Sequence, residues 1–75
     1  MKWQPIDKSK LIKKIASNVV AIRKEKGISQ SELARLTDKD RQNIHKFEKA
    51  QTNPSIDYLV EIANALEINL TDLFR

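Results

Sequence analysis

Apolar residues recur every three or four positions along most of this 75-residue chain, which is the spacing of one face of an α-helix. The chain has only one glycine and two prolines, so it offers few signals for strands or hairpins. The pattern therefore predicts an all-α fold of short helices packed around one core. A chain of this length buries only about 60% of the surface that its unfolded form exposes, so this core is expected to be small.

Five helices in a single domain, 1–75, are predicted from this spacing and from the residues that begin and end helices. They are expected at 10–26, 30–36, 41–49, 56–66 and 70–75, after an N-terminal extension of residues 1–7. Within the extension, Trp3 is expected to cover part of the core, with an interface role as the alternative. The fourth helix is expected to bury six apolar residues. These are Ile56, Leu59, Val60, Ile62, Ala63 and Leu66.

Side chains that suit the N-cap position precede each predicted helix. They are Ser9, Ser29, Asp40, Ser55 and Asn69. Ser29 and Glu32 have the spacing of a capping box, in which each side chain bonds the backbone N–H of the other residue. Gly27 follows the first helix, where a left-handed residue ends helices most easily.

The charge of the chain is unevenly distributed, although its formal net charge is only +4. Residues 1–50 hold 13 Lys and Arg against six acidic residues, a net charge of +7, whereas residues 51–75 have a net charge of −3. A basic region of this kind is typical of a protein that binds a polyanion such as nucleic acid. Lopsided charge that serves solubility alone is the alternative.

Several classes of function lack the residues that they require. The chain has no cysteine, and its one histidine, His45, cannot assemble a metal site alone. No catalytic triad and no glycine-rich phosphate loop occurs, so we expect no enzyme, no cofactor and no small-molecule substrate. The longest apolar run has four residues, against about 20 in a membrane span, and no secretion signal is present, so we expect no membrane contact and a cytoplasmic location.

The most informative unit is the pair of short helices at 30–36 and 41–49, whose connecting turn has the length found in a helix-turn-helix. If Ile44 and Phe47 face the core, the second helix of the pair has a polar outer face. Its residues are Arg41, Gln42, Asn43, His45 and Lys46. Arg, Gln and Asn make paired hydrogen bonds with base edges in the major groove, and no acidic residue interrupts this face. The pattern favours a double-stranded DNA partner.

From about residue 15 to residue 74, the sequence resembles the phage Cro/repressor-type (XRE-like) helix-turn-helix family. The matching stretches, in the family's order and spacing, are IRKEKGISQ at 22–30, ELA at 32–34, Ile44, FE at 47–48, NPS at 53–55, Leu59, IA at 62–63, AL at 65–66 and LF at 73–74. The resemblance implies a compact five-helix bundle like the λ-repressor DNA-binding domain, with the helix-turn-helix formed by helices 2 and 3.

The resemblance also implies roles for single residues. Base contacts are expected from Arg41, Gln42, His45 and Lys46. Contacts to the DNA backbone are expected from Gln30, Asn43, Thr52 and Asn53. Arg23 and Glu48 match a partly buried ion pair between the first and third helices, which is a structural role.

Some positions depart from the family's pattern. Asp38 stands where the family has a glycine in the turn, and Asp tolerates the left-handed backbone better than most residues. Lys39 replaces an apolar residue, so we expect its stem to pack while its amine reaches solvent. Ala50 and Glu67 replace two further glycines at helix ends. None of these changes removes a group that faces DNA.

Three functions remain compatible with these observations. The preferred one is a sequence-specific transcriptional regulator that binds an inverted-repeat operator as a homodimer, with helix 3 in the major groove. The second is an antitoxin or accessory regulator that binds a protein partner as well as DNA, and the third is a pure protein-interaction module. Leu70, Leu73 and Phe74 are the candidates for the dimer surface, although they serve equally well to close the core.

Overall fold

The computed structural model describes residues 2–75, and Met1 of the predicted extension lies outside the described residues. In chain order the elements are α1 (Lys8–Glu25), α2 (Gln30–Leu36), α3 (Arg41–Glu48), α4 (Ile56–Leu66) and a C-terminal 3-10 helix (Leu70–Phe74). Residues 2–75 contain no strand, which confirms the all-α prediction. Within that range, no helix has the length and apolar character needed to cross a lipid bilayer.

The prediction of five α-helices is wrong, because residues 2–75 form four α-helices and the last element is a 3-10 helix. The backbone N–H of Asp72 donates to the carbonyl of Asn69 three residues earlier, at 3.0 Å. The carboxylate of Asp72 in turn accepts the backbone N–H of Asn69 at 3.1 Å. A segment of five residues is too short for a ladder of i to i−4 bonds, and the tighter 3-10 turn is common in such pieces.

Three elements differ from their predicted bounds. The C-terminal helix ends at Phe74, one residue before the predicted end at residue 75. α1 begins at Lys8 instead of Lys10, because the carboxylate of Asp7, and not the hydroxyl of Ser9, accepts the backbone N–H of Lys10 at 3.2 Å. α1 ends at Glu25 and α3 ends at Glu48, one residue earlier than predicted in each case.

Side-chain caps begin the three following helices. Ser29, Asp40 and Ser55 accept the backbone N–H groups of Glu32, Asn43 and Tyr58 at 3.0, 2.7 and 3.1 Å respectively. At α2 the carboxylate of Glu32 pairs with Arg35, which lies on the same exposed face. The bonds found among residues 2–75 therefore include only the first half of the capping box predicted there.

One core joins all five elements. Its buried residues are Ile15, Val19, Leu33, Ala34, Ile44, Phe47, Leu59, Ile62, Ala63, Leu66 and Leu73. Ile56 and Val60 of α4 are exposed, contrary to prediction, because Val60 lies about 100° around the helix from Leu59 and Ile56 is the first residue of the helix. Trp3 is also exposed, so the prediction that it covers the core is wrong.

All four α-helices end with a residue in the left-handed region, and only one of these residues is a glycine. They are Gly27, Asp38, Ala50 and Glu67, with φ between 55° and 72°. After each of them, the next backbone N–H bonds a carbonyl five residues earlier, at 2.9 to 3.0 Å. This bond is the signature of the Schellman motif, which ends a helix and turns the chain sharply. Four such ends let short helices fold back on one core.

Replacing Glu67 by glycine is expected to raise the free energy of unfolding by about 0.5–1 kcal/mol, because a side chain at φ 56° strains the backbone and glycine removes that strain. Thermal unfolding of the purified variant measures the gain, which corresponds to a few degrees in Tm. Glu67→Ala is the matched control, since it removes the same charge but keeps the Cβ. An equal gain in both variants would show that backbone strain is not the cause.

Candidate nucleic-acid interface

The outer face of α3 is polar and exposed, as its sequence pattern predicts. Ile44 and Phe47 are fully buried and fix the rotation of the helix about its axis. The five remaining residues from Arg41 to Lys46 are exposed. Arg41, Gln42 and His45 line one concavity of the surface, so the structure brings three of the four predicted base-contacting residues together.

A second concavity joins this face to the start of α2 and to further basic residues. Its polar lining includes Arg41 and His45 of α3, Gln30 of α2, Lys24 of α1, and Lys49 directly after α3. Arg41, His45 and Lys49 are spaced four residues apart along α3 and its end, and tertiary packing adds Gln30 of α2 and Lys24 of α1. Lys24, Arg41 and Lys49 give the lining of this concavity a positive charge, and a cationic surface favours binding of a polyanion.

Beneath this surface, a buried ion pair fixes α3 to α1. The guanidinium of Arg23 binds the carboxylate of Glu48 through two hydrogen bonds, Nε to Oε2 at 2.7 Å and Nη2 to Oε1 at 2.9 Å. The two side chains are only 9% and 4% exposed. Nη1 of Arg23 also donates to the carbonyl of Ile28 at 3.0 Å, so the same group fixes the loop that precedes α2. This is the pair that the resemblance implies.

Gln30 extends this network to the surface. Its Nε2 donates to Oε1 of Glu48 at 2.9 Å and lies 3.4 Å from Nδ1 of His45. An amide nitrogen carries two hydrogens, so the short bond to Glu48 occupies one and leaves the other near His45. Sequence reasoning did not predict this contact, because no local pattern relates residues 18 positions apart.

On the other side of α3, Tyr58 of α4 contacts Asn43. The hydroxyl of Tyr58 donates to Oδ1 of Asn43 at 2.8 Å. Burial, and then the negative charges of Glu48, Glu61 and Asp40, raise the pKa of Tyr58 to about 12. Sequence reasoning missed Tyr58, although a tyrosine in the apolar pattern of a helix indicates a hydroxyl that needs a partner.

Lys39, at the end of the turn between α2 and α3, packs its side chain against α4. Its side chain is only 17% exposed, and Nζ pairs with the carboxylate of Glu61 at 3.2 Å. The same ammonium lies 4.6 Å from the centre of the Tyr58 ring, within reach of a cation–π interaction. The stem of Lys39 therefore packs as expected, and its amine contacts an acid and an aromatic ring of α4.

The other predicted residues lie farther along the chain. Thr52 and Asn53 are in the loop between α3 and α4, which follows the C-terminal end of α3, whereas Arg41 is at its N-terminal end. In the C-terminal 3-10 helix, Leu73 is 0% exposed. It therefore closes the core, which was one of the two roles left open for it. Leu70 is half-buried against the core, and Phe74 is 37% exposed.

A small helical core that presents α3 on a paired α2, with a basic and amide-rich outer face, defines the helix-turn-helix class of domain. A sequence model described as helix-turn-helix matches residues 19–73, which is most of the chain. An uncharacterised HTH-type transcriptional regulator of Rickettsia conorii is 37% identical over 72 residues, or 91% of this chain. The chain therefore belongs to the XRE-type helix-turn-helix family of transcriptional regulators, which confirms the resemblance found in the sequence. It spans 58% of the length of the Rickettsia relative.

Two solved structures have the same fold. The restriction-modification controller protein C.AhdI from Aeromonas hydrophila superposes with a TM-score of 0.81 and 33% identity, over 84% of this chain and 96% of that chain. The controller protein C.Esp1396I, solved as a tetramer in complex with its natural 35-base-pair operator, has a TM-score of 0.79 and 33% identity, over 85% of this chain and 84% of that chain.

Replacing Glu48 by methionine is expected to lower the free energy of unfolding by about 3 kcal/mol, because it leaves the charge of Arg23 buried without its partner. The double variant Arg23→Met/Glu48→Met is expected to be more stable than Glu48→Met alone, since neither charge is then buried unpaired. Urea unfolding of the two single variants and the double variant measures the coupling. Losses that simply add would contradict a coupled pair.

Proposed function

We propose that this protein binds DNA in a sequence-specific manner and regulates transcription, with α3 lying in the major groove. The observation that carries the proposal is the exposed outer face of α3, where Arg41, Gln42 and His45 surround one concavity and no acidic residue intervenes. Ile44 and Phe47 hold this face outward from within the core. A helix of this kind fits the major groove and presents side chains that discriminate between base pairs. Such a regulator would act in the cytoplasm, where the DNA of bacteria lies.

The polar residues around α3 divide into two roles under this proposal. Base contacts fall to Arg41, Gln42, His45 and Lys46, and backbone contacts to Gln30, Asn43, Thr52 and Asn53. Gln30 suits a phosphate contact because its second N–H is held near the surface while Glu48 fixes the first. Contacts of the second kind set the position of the domain on DNA without selecting its sequence.

The proposal includes a homodimer on an inverted-repeat operator. One helix reads about four base pairs, and each correct pair contributes only about 1–3 kcal/mol, so discrimination against a genome needs two half-sites. Two copies of α3 then lie about 34 Å apart, one turn of DNA. Phe74, which is 37% exposed on the C-terminal 3-10 helix, is the side chain that we assign to the contact between protomers. The tetramer of C.Esp1396I on its operator supports an assembly of more than one protomer.

The test is selection of bound sequences from a random pool of DNA, followed by affinity measurements at two salt concentrations. We expect an enriched inverted repeat with half-sites about 10 base pairs apart. We also expect an affinity that falls steeply as salt rises, because phosphate contacts release counterions. A pool without enrichment, together with salt-independent binding or no binding, would overturn the proposal.

Two glutamine variants separate base contacts from phosphate contacts. Gln42→Ala is expected to weaken binding to the selected operator by about 1–3 kcal/mol and to leave non-specific DNA binding nearly unchanged. Gln30→Ala is expected to weaken binding to all sequences alike. Fluorescence anisotropy on operator and scrambled duplexes measures both.

The matched control is Asn64→Ala, which removes an exposed amide from α4, away from α3. Its affinities are expected to equal those of the original protein. If Gln42→Ala weakens operator and scrambled DNA equally, Gln42 does not read a base.

A further inference from the structure

Tyr58 is held in one orientation by contacts on its ring. The ring centre lies 5.0 Å from that of Phe47, which is fully buried, with the planes tilted by 55°. The ammonium of Lys39 lies 4.6 Å from the ring centre, and its ion pair with Glu61 fixes it there. Tilted aromatic pairs and cation–π contacts are both favourable arrangements. The hydroxyl of Tyr58 is therefore directed at a fixed point on α3.

That point is the side-chain amide of Asn43, an exposed residue in the first turn of α3. Because the Tyr58 phenol keeps its proton far above neutral pH, it can donate to the carbonyl oxygen Oδ1, which it meets at 2.8 Å. With Oδ1 on the side of Tyr58, the amide nitrogen Nδ2 lies on the opposite side of the planar group. The opposite orientation would place a carbonyl oxygen against the oxygens of a DNA backbone, which is repulsive.

The ammonium of Lys39 and the hydroxyl of Tyr58 are two polar groups that packing of the core does not require. Lys39 occupies a position where the family has an apolar residue, and Tyr58 places a hydroxyl in the apolar pattern of α4. A structure that needed only packing at these positions would use apolar side chains in both. The hydrogen bond to Asn43 and the ion pair with Glu61 give both polar groups a partner.

We propose that Tyr58 is a positioning residue for DNA binding, which orients Asn43 so that its Nδ2 group donates to a hydrogen-bond acceptor on DNA. The inference rests on the proposed function. Two sources supply such an acceptor. One is a phosphate oxygen, and the other is an acceptor atom of a base edge, which is O6 or N7 of guanine, N7 of adenine or O4 of thymine. Asn43 therefore acts only as a hydrogen-bond donor. An asparagine that rotates freely can instead make a pair of bonds with adenine, in which its Oδ1 accepts and its Nδ2 donates.

The experiment compares Tyr58→Phe, Asn43→Ala and the double variant on the selected operator. Tyr58→Phe removes only the hydroxyl and keeps the ring contacts. It is expected to weaken binding by about two- to tenfold, because the amide of Asn43 must then be immobilised when DNA binds. Asn43→Ala is expected to weaken binding by about three- to tenfold through loss of one hydrogen bond. In the Asn43→Ala background, Tyr58→Phe is expected to have no further effect.

The source of the acceptor is read from single-base substitutions in the operator. If Tyr58→Phe and Asn43→Ala weaken binding equally on all sequences, the acceptor is a phosphate oxygen. If the loss is confined to one base pair, and that position becomes tolerant of substitution, the acceptor is on a base edge. Either pattern supports the proposal.

Thr37→Val is the matched control for loss of a hydroxyl. The Thr37 hydroxyl donates to the carbonyls of Leu33 and Ala34, and its removal is expected to lower stability but not the affinity of folded protein for DNA. An unchanged affinity of Tyr58→Phe for the operator would overturn the proposal. An equal loss of affinity when Tyr58→Phe is made in the original protein and in the Asn43→Ala variant would also overturn it. If the original protein binds the operator and either of these results is found, only the positioning role of Tyr58 is overturned. If the original protein binds no DNA, the proposed function is overturned as well.

Discussion

The buried ion pair between Arg23 and Glu48 is the interaction on which the rest of the structure depends. Its charges are almost fully removed from water, so each is tolerated only because the other is present with good geometry. The same two side chains fix the loop at Ile28 and the amide of Gln30. One pair therefore sets the relative positions of α1, α2 and α3, including the exposed face of α3. Apolar burial is not directional by itself, so the hydrogen bonds of this pair add a defined orientation to the packing of the short helices.

Chain reversals provide the second constraint. Each α-helix ends in a left-handed residue and the long hydrogen bond of a Schellman motif, and three of these residues carry side chains that strain the backbone. At Asp38 this reversal sets the angle at which α3 follows α2. Lys39 then packs under α4, where Tyr58 and Glu61 hold it. The departures from the family's glycines leave the helix-turn-helix intact. Separately, Lys39, which replaces an apolar residue, contacts Tyr58 and Glu61 of α4.

Much of this arrangement could be predicted from sequence because its causes are local. The side chains of Ser29, Asp40 and Ser55 cap α2, α3 and α4 where their positions indicate, and the periodicity of α3 places its polar face outward. What could not be predicted depends on contacts between distant residues or on competition between neighbours. Asp7 and Ser9 both suit a cap, and Asp7 is the one that bonds. The bonds of Gln30 to Glu48 and of Tyr58 to Asn43 join residues 18 and 15 positions apart, for which the chain carries no local signal.

Contact between DNA and the outer face of α3 can be observed residue by residue with nuclear magnetic resonance. The measurement is a titration of the ¹⁵N-labelled protein with the selected operator duplex, following backbone and side-chain amide resonances. We expect the largest shifts at Arg41, Gln42 and His45 and further shifts at Gln30. Shifts at exposed α4 residues such as Asn64 are expected to be small. Shifts concentrated on α4 or the C-terminal 3-10 helix, with α3 unchanged, would contradict a contact between DNA and α3.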